Sequence, residues 1–186
     1  MDSMNRPPHA APAPPRAGVF DAIPLPIRMV VYGVSFLAAI LVLLPWCASR
    51  LDDVLPPGYR IALPTVVRVF GGGAFVAFLA IYVSSSYVLT SRGRGAYVEF
   101  DPPKEFVVVG PFRWCRNPIA ACVVGMLAAE GLALSSMSVI ALAAISVPIA
   151  HAQVVLLEEP LLRKRFGGAY EEYLRRVPRW IPRMPR

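Results

Sequence analysis

Apolar residues gather into four long runs, at positions 27–46, 64–89, 118–135 and 137–157, and polar residues fill the gaps. Within each run no polar face repeats at helical spacing, so each would be apolar all round as a helix. About 17–25 such residues suffice to cross the hydrocarbon core of a bilayer. Only Ser135 and Ser136 separate the last two runs, which predicts a tight antiparallel hairpin. Gly71–Gly72–Gly73 in the second run would let a neighbouring helix approach closely. Pro148 predicts a kink in the fourth, and a lipid-buried helix tolerates one. The pattern predicts an all-α polytopic membrane protein with four transmembrane helices, a loop at 90–117 and a C-terminal tail at 158–186.

The flanks differ in kind. Residues 1–22 include "RPPHAAPAPPR" and show no periodic apolar face, which predicts a disordered arm. Residues 23–186 then form a single membrane domain. The first apolar run is too long for a signal-peptide core, and "LPWCASR" is a poor cleavage site, so a retained helix is expected. The 90–117 loop is longer than a connector needs to be, and its "EFVVV" reads as a short strand or an extended run. In the tail, Pro160 disfavours helix at Glu159 and can begin a new helix. Beyond it Leu162, Phe166, Tyr170, Tyr173, Leu174 and Val177 recur at three and four, the stripe of an amphipathic helix weakened by Gly167–Gly168. That helix would lie on the membrane surface or cover the bundle.

Composition supports the membrane assignment. The 186 residues are 56% hydrophobic and only 17% charged, with a mean hydropathy of +0.53, against about 25% charged residues in a soluble domain. The net charge is +7, and its placement is uneven. Four spans put the N-terminal arm, the 90–117 loop and the tail on one side. That side collects Arg6, Arg16, Arg28, Arg92, Arg94, Lys104, Arg113, Arg116 and the eight basic residues after the fourth run. The other side has Arg50 and Arg60, with Arg68 near its interface. The positive-inside rule then places both termini in the cytoplasm, facing an anionic leaflet. No nucleic-acid motif accompanies the basic residues. Cys47, Cys115 and Cys122 form no C-x-x-C pair and no metal-spaced cluster, so they read as free thiols with no metal site.

Several polar residues stand out. Glu158 and Glu159 end the fourth run, where two carboxylates facing a basic loop can bind a cationic group, or can simply solvate the interface. His151 lies seven residues earlier, on the same face of a regular helix and about 10 Å deeper. It can carry a proton or hydrogen-bond a neighbouring helix. Glu130 lies about 18 Å into the third run, and a neutral, hydrogen-bonded carboxyl is its bland reading. Arg113 and Arg116 have forks suited to carboxylates and phosphates; as plain anchors they would act with Phe112 and Trp114 as interfacial belt residues. There is no P-loop, G-x-S-x-G, H-E-x-x-H or dinucleotide fingerprint.

Two of these stretches share a pattern. "GPFRWCRNP" followed by a hairpin, then "EEPLLRKRFGGAYEEYLRRVPRWIPR", resembles the isoprenylcysteine carboxyl methyltransferase and phospholipid methyltransferase family of integral-membrane enzymes, in its bacterial form. The resemblance covers about half the chain, from Thr90 to the C-terminus. It implies S-adenosylmethionine as methyl donor and a lipid or other amphiphile as acceptor, at the cytoplasmic face of a bacterial inner membrane. It implies that Arg116, Asn117 and Pro118 form the donor-binding turn, that Glu158 and Glu159 are the acidic partners, and that Tyr170 and Tyr173 close the site. Glu158, His151 and Arg116 are then the candidate catalytic residues. Asn117 stands where many members have His, and Ala120 and Cys122 stand where the family often has Tyr and Gly. Those last two leave room for a non-catalytic scaffold or ligand-binding protein of the same fold; a third reading, from a similar C-terminal architecture, is an NADPH-dependent membrane reductase.

Overall fold

The computed structural model describes residues 24–54, 56, 61–93 and 105–183. The arm at 1–22 and the loop between Gly93 and Glu105 lie outside the described residues. All regular structure among the described residues is helical. Helices α1 (Leu25–Ala38) and α2 (Leu44–Val54) are joined through a π turn at Ala39–Leu43. Then follow α3 (Thr65–Gly93), α4 (Pro118–Leu134) and α5 (Met137–Gln153). A second π turn, Val154–Glu158, leads into α6 (Glu159–Phe166), and α7 (Gly168–Arg176) follows Gly167.

Three helical stretches are long and apolar enough to cross a membrane: Pro26–Val54, Thr65–Gly93 and Met137–Phe166. The fourth, Pro118–Leu134, is shorter. Their outward residues are apolar, including Val34, Val42, Val69, Val76, Ile145 and Ile149. Such a surface is stable only against lipid.

The boundaries differ from the sequence expectation at two prolines. The first helical stretch runs eight residues past position 46, to Val54, and the last does not end at 157 but continues to Phe166. Proline lacks an N–H and crowds the carbonyl four residues back. Here that crowding is relieved by widening the preceding turn: one π turn lies just before Pro45 and the other just before Pro160. The second has a consequence for the site. Val139 and Ala143 are buried along α5 and Val154 at the start of the π turn, and the next buried residue is Glu159, five positions on. The wide turn thus carries Glu159 to the inner face and leaves Glu158 half-buried beside it.

Helix α4 lies between α3 and α5, and α2 packs on α5. The core joins Leu41, Tyr82, Cys122, Met126, Leu127 and Ala143. Of the three consecutive glycines only Gly71 serves the packing. A Cβ there would sit 2.7 Å from the Ala129 carbonyl oxygen and 2.8 Å from the Ala133 nitrogen, whereas Gly72 and Gly73 have nothing within 4 Å. The α4–α5 connection is the tight hairpin expected, with Ser135 left-handed at φ 55°. Asp52 ties it down. Its Oδ1 accepts from Ser138 N at 3.1 Å and Ser138 Oγ at 2.6 Å, and its Oδ2 accepts from Ser136 Oγ. Ser136 Oγ in turn accepts from Val139 N at 3.1 Å, capping α5.

Residues 105–109 form no strand; they run into a 3-10 turn at Gly110–Arg113. The aromatic stripe of the tail folds as its spacing predicts. Tyr170, Tyr173 and Val177 are buried together with Leu162, Phe166 and Leu174, and Phe106 is the residue they cover. Gly167, at φ 53° and ψ −128°, breaks the stripe into α6 and α7, a conformation open to glycine and strained for other residues.

Candidate functional site

Pro118 begins α4, and the five residues before it form a corner. After α7 the chain runs back across this corner as an extended strap. Arg116 N donates to Pro178 O at 2.9 Å and Arg183 N to Trp114 O at 3.1 Å. Asn117 Nδ2 donates to Arg179 O at 3.1 Å. The Cys115 thiol reaches the carbonyls of Arg179 and Trp180 at 3.4 and 3.2 Å. On the inner side Tyr173 Oη donates to Phe112 O at 2.7 Å. Phe112 is therefore a buried bracket and not a belt residue, while Trp114 stays exposed.

At the centre is Glu159, whose side chain is 4% exposed. Its Oε1 accepts from Arg116 Nη1 at 3.2 Å and from Arg179 Nε at 2.7 Å. Its Oε2 accepts from Arg179 Nη2 at 3.2 Å and lies 3.8 Å from Arg163 Nη2. Arg163 is shared, since its Nε donates to Glu171 at 2.9 Å. A carboxylate this buried needs compensating charge, and it draws it from three separate segments. Glu158 points elsewhere and accepts from Gln153 Nε2 at 3.3 Å.

His151 and Glu158 are not brought together in one contact. His151 is exposed, and its Nδ1 accepts from Trp180 Nε1 at 3.1 Å. An indole N–H only donates, so this bond sets the neutral tautomer with its proton on Nε2. Glu130 lies far along α4 from this corner, about 18 Å from Pro118. One of its oxygens is buried and unpaired. Cys122 sits in the bundle core and Ala120 is half-buried; all three cysteines are free thiols.

Burial also sets protonation here. Desolvation is the main cause raising the pKa values of Tyr170, Tyr173 and Cys115, with the Glu159 charge adding to the effect at Tyr170. Both tyrosines stay protonated, Tyr173 as a hydrogen-bond donor and Tyr170 as a packed ring, and Cys115 is a thiol rather than a nucleophilic thiolate. The hydrogen bond that Arg179 donates to Glu159 raises the Arg179 pKa above its ordinary value, so the guanidinium stays charged.

Sequence reasoning picked out Arg116, Asn117, Pro118, His151, Glu158, Glu159, Tyr170 and Tyr173; the structure joins Arg116 to Glu159, Asn117 to the strap and Tyr173 to the Phe112 carbonyl, while Glu158 bonds Gln153 and His151 bonds Trp180. It passed over Arg179, Cys115 and Phe106. Arg179 lies twenty residues from Glu159, beyond any helical repeat, in a tail where every third or fourth residue is basic. Its one distinguishing signal is its place between Pro178 and Trp180, where the chain is stiff and amphipathic.

No curated protein matches the chain. A family model described as Phospholipid methyltransferase matches residues 67–169, more than half of the sequence. The match runs from α3 through the corner, the hairpin and the Glu158–Glu159 pair to the start of α7. With its apolar helices and this match, the chain belongs to the phospholipid methyltransferase family of integral-membrane methyltransferases.

Proposed function

We propose that the protein transfers a methyl group from S-adenosylmethionine to a lipid or other amphiphile, at the cytoplasmic face of a bacterial inner membrane. The observation that carries this reading is the convergence of Arg116, Asn117, Glu159 and the strap on one ionic cluster, where the apolar helices end. The excess of basic residues on that side, under the positive-inside rule, supports a cytoplasmic site with both termini on the same side.

The residues present fit the donor. Arg116 keeps a buried Nε with no hydrogen-bond partner, a spare donor for a carboxylate. Glu158, half-buried and beside the cluster, suits an ammonium. Tyr170 and Tyr173, packed on Phe106 with ring centroids 5.8 and 5.3 Å away, close the wall between loop and tail. When bound, S-adenosylmethionine supplies an electrophilic methyl on a sulfonium. The protein's task is then alignment and exclusion of water. An amine or alcohol acceptor also needs a base, a role open to Glu158 or His151. His151 can accept at Nδ1 only by releasing Trp180. A carboxylate acceptor needs no base.

The test is titration of the purified full-length protein in detergent with S-adenosylmethionine and, separately, NADPH. Saturable binding of the methyl donor alone is expected. Arg116→Ala should weaken it about tenfold or more, since one charge-assisted contact is lost. Binding of NADPH alone would favour a reductase. Binding of neither by folded protein would leave a non-catalytic scaffold.

A further inference from the structure

We propose that Arg179 is the second arm of an oxyanion fork whose first arm is Arg116, and that Glu159 is the positioning residue that sets both arms and is not itself a donor ligand. This rests on the reading of the cluster as the S-adenosylmethionine site, and it assigns the donor's carboxylate to the fork. Three observations support it.

The first is hydrogen-bonding capacity. A guanidinium offers about five N–H donors and a carboxylate about four acceptor sites. Glu159 engages one donor of Arg116 and two of Arg179. The arginines thus keep most of their donors, including the buried, unpaired Nε of Arg116. The carboxylate is close to saturated.

The second is charge. Arg116, Arg163 and Arg179 surround Glu159, and among the described residues only Arg163 has a further acidic partner, Glu171. A cation approaching Glu159 meets like charge, whereas an anion meets a positive surplus.

The third is access and fixation. The Glu159 side chain is 4% exposed and that of Arg179 is 31%. A ligand reaches the arginine before the carboxylate beneath it. Arg179 is also fixed from behind. Its carbonyl accepts from Asn117 and from the Cys115 thiol, and its fork grips both Glu159 oxygens. A preorganised arm of this kind loses little freedom when an anion binds. Asn117 then acts by holding the strap that presents Arg179.

The experiment is a double-mutant cycle between protein and ligand, run by calorimetry on full-length protein in detergent. The ligands are S-adenosylmethionine and its decarboxylated analogue, which keeps the adenosine, sulfonium and ammonium. Wild type should prefer the carboxylated donor by about 10- to 100-fold, as expected for a charge-assisted contact. In Arg179→Gln the two ligands should bind within about threefold of each other, the signature of coupled groups. Arg179→Lys keeps the charge without the fork and should fall between, which covers the case of a poorly folding glutamine variant. Glu159→Gln should lose discrimination while still binding the decarboxylated analogue. If Glu159 instead held the ammonium, both ligands would weaken alike and its positioning role would fall. Undiminished discrimination in Arg179→Gln overturns the fork, as does wild type that binds both ligands equally. Competition by glycerol 3-phosphate with no carboxylate preference would reassign the fork to a lipid phosphate and overturn the proposal. Wild type that binds neither ligand removes the donor site and the fork together.

Discussion

Each end of α4 is secured by one carboxylate from another helix, and the two are used in opposite ways. At the Leu134 end Asp52 receives two serine hydroxyls and a backbone N–H from the hairpin it caps. At the Pro118 end, about 25 Å away, Glu159 receives guanidinium groups from Arg116 and Arg179, with Arg163 close by. In the first arrangement the hairpin's own short side chains and backbone supply the donors. The second has more donors and more charge than the carboxylate needs, brought from distant parts of the sequence. A purely structural anchor needs only the first kind. The surplus at the second end is what the proposed donor site would use.

Removing each carboxylate tests this contrast. Glu159→Gln should show the largest effect, about 3 kcal/mol, because it leaves Arg116 and Arg179 partly buried with no counter-charge. The apparent thermal midpoint in detergent reads it, together with the altered ligand preference described above. Gly71→Ala should cost about 2 kcal/mol, since the new methyl meets backbone on α4 that cannot shift alone. Asp52→Ala should cost about 1–2 kcal/mol, the range for a lost helix cap and its hydrogen bonds. It should leave the preference between the two donor ligands unchanged. A change in that preference would mean that the two ends are coupled and the contrast is wrong. Tyr173→Phe should cost about 1 kcal/mol by leaving the Phe112 carbonyl without its donor.

The two ends were not equally legible in the sequence. Helix positions followed from apolar runs, because burial in lipid depends on composition more than on particular partners. The Ser135–Ser136 hairpin was plain for the same reason. The capping role of Asp52 was not, because it joins positions 84 and 86 residues apart. At the other end the residues of the corner and of the Glu-Glu pair were found through their pattern. Which glutamate turns inward was not, since that depends on a π turn that Pro160 forces. A regular helix would place His151 and Glu158 on one face; the wide turn separates them and sends His151 to Trp180 instead. The role of Arg179 depends on the strap folding back over Cys115–Asn117, a contact made only in three dimensions.

The smallest predicted effect separates packing from composition most cleanly. Gly71, Gly72 and Gly73 are adjacent and chemically identical, and the sequence treats them alike. The structure does not: α4 presses on Gly71, while Gly72 and Gly73 have no atom within 4 Å of a new Cβ. Gly72→Ala should therefore leave stability unchanged or raise it by about 0.5 kcal/mol, because alanine loses less conformational entropy in a helix than glycine. A thermal scan of Gly71→Ala beside Gly72→Ala gives the answer directly. Equal losses at both positions would mean that a second partner covers the outer face of α3. A loss at Gly71 alone would show that close approach of α3 and α4 at the Asp52 end depends on a single missing methyl group.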